Sequence, residues 1–239
     1  MDKNLNEILE SYCKDYYEKK DLPFVVKKSI PIAWFGDINA YLNSDKKILT
    51  VALNPSDKEF IENRFPKALE SVNAQNLYDS LNAYFEENPY SPWFKNFEKI
   101  LNILDSTYGG KLNTNNKTFK NQSISIDIYS PLATSPTWGK LKSSEKQAII
   151  NTSLFKTLLD YLNPDIILIS VSQNDMIENL QLENIIPVDA TYKKGIKISG
   201  YKTDTRIVLY GRNYYGTPFG GMTDDWKKEC ISQIIANLS

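Results

Sequence analysis

Four short apolar runs, most of them closing on a polar turn, set the narrowest limit on how this chain folds. They occupy residues 47–53, 124–129, 165–171 and 205–210 of 239. The first, Ile48-Leu49-Thr50-Val51-Ala52-Leu53, has no polar face, the pattern of a central parallel strand covered on both sides. Segments of helical period lie between the runs, at 4–20, 76–87, 93–105, 143–162, 174–181 and 223–237. In the first of these, Leu5, Ile8, Leu9, Tyr12 and Tyr16 fall on one face. Helix 143–162 opens at Ser143 and Ser144 and closes before Asn163-Pro164. The pattern further predicts a short helix at 37–42, a strand at 184–188 and a loop or exposed hairpin at 106–122. Strands alternating with helices predict an α/β fold. The expected form is a three-layer αβα sandwich around a central, mainly parallel four-stranded sheet, as one domain over residues 1–239.

Composition removes several chemistries. There is no histidine, so the usual general base and the commonest zinc ligand are missing. The two cysteines, Cys13 and Cys230, are too few for a structural zinc site or a four-cysteine iron–sulfur cluster. Neither a Walker-type loop nor a dinucleotide fingerprint occurs, so no metal and no cofactor are expected. Catalysis would fall to carboxylates, amides, hydroxyls, tyrosines or cations. No apolar run reaches membrane-spanning length, and the N-terminus lacks the apolar core of a secretion signal. A monomer in a reducing cytoplasm is the expectation. Net charge is −1, so bulk charge does not point to nucleic acid. Locally, however, Lys193, Lys194, Lys197, Lys202, Arg206 and Arg212 face a single acid, Asp204. The ordinary reading of such a run is a solvated hairpin face, and a phosphate-binding surface becomes the better one only where other features point to DNA.

Three strand ends carry the polar groups: Asn54-Pro55-Ser56, Asp127 with Ser130-Pro131, and Gly211-Arg212-Asn213. In a parallel sheet the carboxyl ends of strands share one rim, and ligands bind there. Pro55 lacks an N–H and keeps Asn54 out of the helical region, which fixes the amide. Phe60, Phe65, Trp93, Phe94, Trp138, Tyr214 and Tyr215 are available to stack on a planar ligand.

Leu53-Asn54-Pro55-Ser56 resembles the first catalytic motif of the uracil-DNA glycosylase superfamily, whose members carry Gly-x-(Asn/Asp)-Pro after the first strand. The order and spacing of elements over residues 30–237 are similar as well. The resemblance implies an enzyme that flips a base out of DNA and hydrolyses its N-glycosidic bond, without a metal. It assigns Asn54 to orienting the attacking water. Arg212 stands where the family has a histidine that stabilises the departing base; it serves that role, binds a phosphate or pairs with an acid. Asp127, or Ile128 if the match slips by one, stands where uracil-specific members have asparagine. Ser56, Phe60, Tyr129 and Asn213 complete the implied base-binding set. Ser130, Tyr214, Tyr215, Lys193 and Lys194 are the implied contacts to single- or double-stranded DNA, with Phe219 a further candidate to wedge into the stack.

An ionised Asp127 would only accept hydrogen bonds, which suits the amino group of cytosine and repels O4 of uracil. The expected substrate is therefore a modified, cytosine-like base rather than plain uracil, in base-excision repair or in defence against phage DNA. Two alternatives stay open: a nucleoside or nucleotide hydrolase or transferase, and a catalytically inactive nucleic-acid-binding module.

Overall fold

The computed structural model describes residues 1–65, 71–113 and 118–238. Part of the loop expected at 106–122 therefore lies outside the described residues.

The fold is α/β, built on a six-stranded, mostly parallel sheet with ten α-helices among the described residues. The core strands are β1 (Ile48–Ala52), β4 (Ile124–Asp127), β5 (Ile166–Ile169) and β8 (Ile207–Gly211). They lie in the order β4-β1-β5-β8, all parallel, with Leu49 beside both Ile124 and Ile167. All four residues of β5 are buried, as a strand covered on both faces demands. Two further strands, β6 (Val188–Lys193) and β7 (Ile196–Lys202), form an antiparallel hairpin that joins the free edge of β8. The sheet thus has six strands rather than the four expected. Strand β6 begins at 188, not 184, because Pro187 has no N–H to give to a ladder and restricts Ile186. Two minor strands, β2 (Ser106–Thr107) and β3 (Asn121–Gln122), pair in parallel within the region expected to be a loop.

Helix α1 (Lys3–Lys19) starts where the Asp2 carboxylate accepts from the Leu5 N–H. Short helices follow at α2 (Ile38–Leu42), α3 (Lys58–Ile61), α4 (Ala74–Asn82) and α5 (Tyr84–Glu87), then α6 (Pro92–Ile103). The helix expected at 143–162 is two: α7 (Ser143–Ile149) and α8 (Thr152–Leu162). Asn151 breaks it. Its backbone N–H donates to the Tyr129 carbonyl at 2.8 Å, and its side-chain amide donates to Asp15 at 2.7 Å. Those long-range bonds replace a helical one. Helix α8 ends with Asn163 in the left-handed region (φ +39°) just before Pro164. Helices α9 (Gln173–Leu180) and α10 (Asp224–Leu238) complete the chain. Helix α1 packs on α4 and α8, and α10 packs on β6, β7 and α6.

Glycine at the end of β8 is required by packing rather than by φ. A Cβ on Gly211 would lie 2.2 Å from the buried ring of Phe219. Gly211→Ala is expected to lower stability by about 1–3 kcal/mol in urea unfolding, as overpacked sites do. Gly139→Ala, with no neighbour within 4 Å, is expected to stay within about 0.5 kcal/mol of the parent.

Candidate active site

Because β4, β1, β5 and β8 run in parallel, their carboxyl ends open on one rim. A cavity of about 1220 Å³ lies there, lined by residues from every one of those strand ends. Asn54, Ser56, Asp127, Arg212 and Asn213 all line it. The order of the core strands reverses at β1, since β4 lies on one side of it and β5 on the other. Loops that leave such a pair of strands in opposite directions leave a crevice between them.

Asn54 follows β1. Its Nδ2 donates to the Leu132 carbonyl at 3.4 Å and to Thr134 Oγ1 at 3.3 Å. Thr134 is fully buried and bridges to both Val25 and Ser56, so the acceptor is rigid. With its nitrogen engaged, the amide keeps its oxygen for a ligand or water in the cavity. Ser56 is used locally: its hydroxyl donates to Asp57 at 3.3 Å and accepts from the Lys58 N–H at 3.2 Å.

Asp127 ends β4 opposite Ala52. The pairing continues one step past the strand, with the Ile128 and Tyr129 N–H groups donating to Ala52 and Leu53. Asp127 therefore lines the cavity while Ile128 turns into the core, fully buried. Asp127 Oδ2 is enclosed and has no hydrogen-bond partner. Burial, and secondarily the charge of Glu59, push its carboxyl up to about 8. The carboxyl is therefore mostly protonated at neutral pH. This corrects the ionised group assumed from the sequence: a neutral carboxyl donates one hydrogen bond and accepts others.

Glu59, on α3, was not anticipated from the sequence. It is buried in the cavity wall, 6% exposed, and accepts a hydrogen bond from the Tyr84 hydroxyl. Arg64 Nε lies 3.9 Å from Glu59 Oε2, and Arg64 Nη1 donates to Tyr84 at 3.1 Å. Burial raises the Glu59 carboxyl, and the Tyr84 bond and the Arg64 charge oppose that rise. The available signal was a carboxylate in the first turn of the helix that follows the Asn-Pro-Ser turn.

The β8 end delivers Arg212, exposed; its carbonyl accepts from the Gly220 N–H at 3.3 Å, while its guanidinium makes no hydrogen bond or ion pair to another described residue. Asn213 Oδ1 is buried without a partner. Beyond them Tyr214 and Thr217 exchange both backbone hydrogen bonds around a two-residue turn. Tyr215 (φ +50°) and Gly216 (φ +78°) sit at its tip, the double positive φ of a type I′ turn. Tyr215 is 92% exposed. The β6–β7 turn comes to the same rim, where Gly195 and Lys197 line the cavity and Lys193 and Lys194 stand exposed beside it. Lys197 is paired with Asp189 at 2.5 Å.

Other residues named from the sequence lie elsewhere. Ser130 is 1% exposed and its hydroxyl accepts from the Leu132 N–H, so it cannot reach DNA. Phe219 is buried and cannot act as a wedge; its N–H donates to Ser170 Oγ at 3.2 Å. Phe60 packs on Phe65 rather than lining the cavity. Tyr129 also stays behind the wall. It stacks on Trp138 with ring centroids 5.1 Å apart and 12° between planes, and its hydroxyl donates to Asp175. Trp138 itself lines the cavity, as do Trp93 and Phe94.

Among the described residues no group of three or more His, Cys, Asp or Glu could hold a metal ion, and both cysteines are buried and free. No helix among them is long and apolar enough to cross a membrane. Neither a protein-family model nor a curated protein matches this chain.

The raised Asp127 carboxyl has a consequence for stability. Below about pH 4 the folded and unfolded chains both hold its proton, and no penalty exists. Between pH 4 and 8 the unfolded carboxyl ionises while the folded one does not, so stability falls as pH rises through that window. Asp127→Asn removes this dependence. In urea unfolding the variant is expected to gain on the parent by a few kcal/mol between pH 4.5 and pH 8, whatever its offset at pH 4.5.

Proposed function

We propose that the chain is a monofunctional DNA glycosylase, a divergent relative of the uracil-DNA glycosylases with their three-layer αβα architecture. The observation that carries the reading is the fixing of Asn54. Its amide nitrogen is tied to Leu132 and Thr134, its oxygen has no hydrogen bond among the described residues, and it lines the cavity together with Asp127 and Arg212. Hydrolysis of an N-glycosidic bond needs a water held at the anomeric carbon and an environment for the departing base. An amide is a weak base, so Asn54 acts by holding the water in line. The Arg212 guanidinium is permanently charged and unpaired among the described residues, and supplies a positive field for the electron density that builds on the departing base.

Several features favour a base within a polymer over a free nucleoside. Lys193, Lys194 and Arg212 offer phosphate contacts around the rim. Tyr215 stands out from the rim in a left-handed conformation, and strained, exposed aromatic residues of this kind are typical of functional tips. In this reading the Tyr214–Tyr215 pair enters the space a flipped base vacates. The cavity, at about 1220 Å³, is above the usual 300–1,000 Å³ of small-ligand sites and leaves room for a substituent on the base. The preference for a modified, cytosine-like base rests on that room, since a neutral Asp127 does not by itself repel uracil.

Duplexes carrying uracil, cytosine, 5-hydroxymethylcytosine or its glucosylated form are to be assayed for abasic sites. Release is expected from a substituted cytosine. Asn54→Ala is expected to slow it by at least about 100-fold while duplex affinity stays within about threefold. Absence of abasic sites on every duplex would refute the reading.

A further inference from the structure

Two carboxyl groups share the cavity wall, and their surroundings differ. Glu59 is met by donors: the Tyr84 hydroxyl bonds it and the Arg64 guanidinium lies 3.9 Å away. Asp127 meets none, and one of its oxygens is enclosed with no partner. Burial raises both carboxyls, but at Glu59 the Tyr84 bond and the Arg64 charge oppose the rise, whereas no donor opposes it at Asp127. The groups around Asp127 are few. Glu59 lies near it on α3 and Tyr12 on α1, whose hydroxyl is pushed up chiefly by burial and next by Asp127. Glu62 and Arg64 stand beside Glu59, and Lys58, Lys197 and Arg212 line the same cavity.

We propose that Asp127, enclosed at the end of β4 with one oxygen unpartnered, is the general acid of this site, and that the neighbouring Glu59 is a positioning residue that reinforces its protonated form. The proposal rests on the glycosylase reading. A neutral carboxyl presents an O–H and a C=O side by side. That pair matches the ring N3 acceptor and the 4-amino donor of a cytosine-type base. As the C1′–N1 bond breaks, its electron pair goes to the base and the Asp127 proton moves to N3. The base leaves as a neutral N3–H tautomer instead of an anion. The water oxygen bonds to C1′, and the proton it loses returns to the carboxyl through solvent. Uracil already carries a proton at N3, so a group placed at that edge can protonate it only on a carbonyl oxygen, which gives an enol. The device therefore favours 4-amino pyrimidines, and it supplies the proton donor that a chain without histidine otherwise lacks.

Single-turnover base release from the preferred duplex is to be followed from pH 5.5 to 9.5. The rate is expected to fall about tenfold per pH unit above pH 8. Asp127→Asn, which retains a donor and an acceptor but no transferable proton, is expected to lose about 10²–10⁴-fold at pH 7 and to show no such fall. Glu59→Gln is expected to move the falling limb to lower pH. Carbon-13 NMR of the Asp127 carboxyl gives a readout independent of turnover: its midpoint should lie near 8 and drop in Glu59→Gln. Release that is flat through pH 8, or unchanged in Asp127→Asn, overturns the general acid alone. An Asp127 midpoint near 4 does the same. No release from any duplex by the parent protein overturns the glycosylase reading and the general acid with it.

Discussion

Parallel pairing on both sides of β1 is the constraint from which the rest follows. Leu49 lies between Ile124 and Ile167, and Ala52 lies beside Asp127. One residue of slip in the β1–β4 ladder would turn every side chain of β4 to the opposite face of the sheet. It would also move Asp127 inward and bring Ile128 to the cavity. The apolar interior of the sheet thereby fixes the depth at which each polar terminus emerges. The chemistry of the rim is a by-product of how Ile48, Leu49, Val51, Ile126 and Ile167 exclude water below it.

Sheet depth also accounts for the electrostatics. Asp127 is at the last rung, where the ladder still shields it and no donor reaches it. A carboxylate taken from water without compensation is costly, and retaining the proton avoids most of that cost. Glu59 sits a few residues beyond the β1 turn on a short helix, close to Tyr84 and Arg64, which oppose the rise that burial imposes on its carboxyl. Two acids of similar intrinsic strength are thus made unlike by their neighbours alone.

The four core strands, most helices and the three polar strand ends were legible because hydrophobic period and turn chemistry are local signals. What escaped depends on distant partners. The interruption at Asn151 is caused by Tyr129 and Asp15, which no window around residue 151 contains. Ser130 and Phe219 look available in sequence, yet Leu132 and Ser170 hold them inside. The charge state of Asp127 was misjudged because burial is a property of the sheet and not of the residue. Glu59 was overlooked because a lone acid in the polar stretch after Asn54 is indistinguishable from its neighbours until Tyr84 and Arg64 arrive from elsewhere. The hairpin of β6 and β7 was visible, but its attachment to the edge of β8 was not.

The Tyr214–Thr217 turn has one more implication. Asparagine-glycine is the ordinary choice at the two central positions of such a turn, and this chain places tyrosine in the first. A bulky ring there raises the energy of the isolated protein by about 1–3 kcal/mol and exposes apolar area to water. The rim is therefore best viewed as a surface kept under tension in the solitary molecule, whose most conspicuous side chain gains shelter only when something else arrives to cover it.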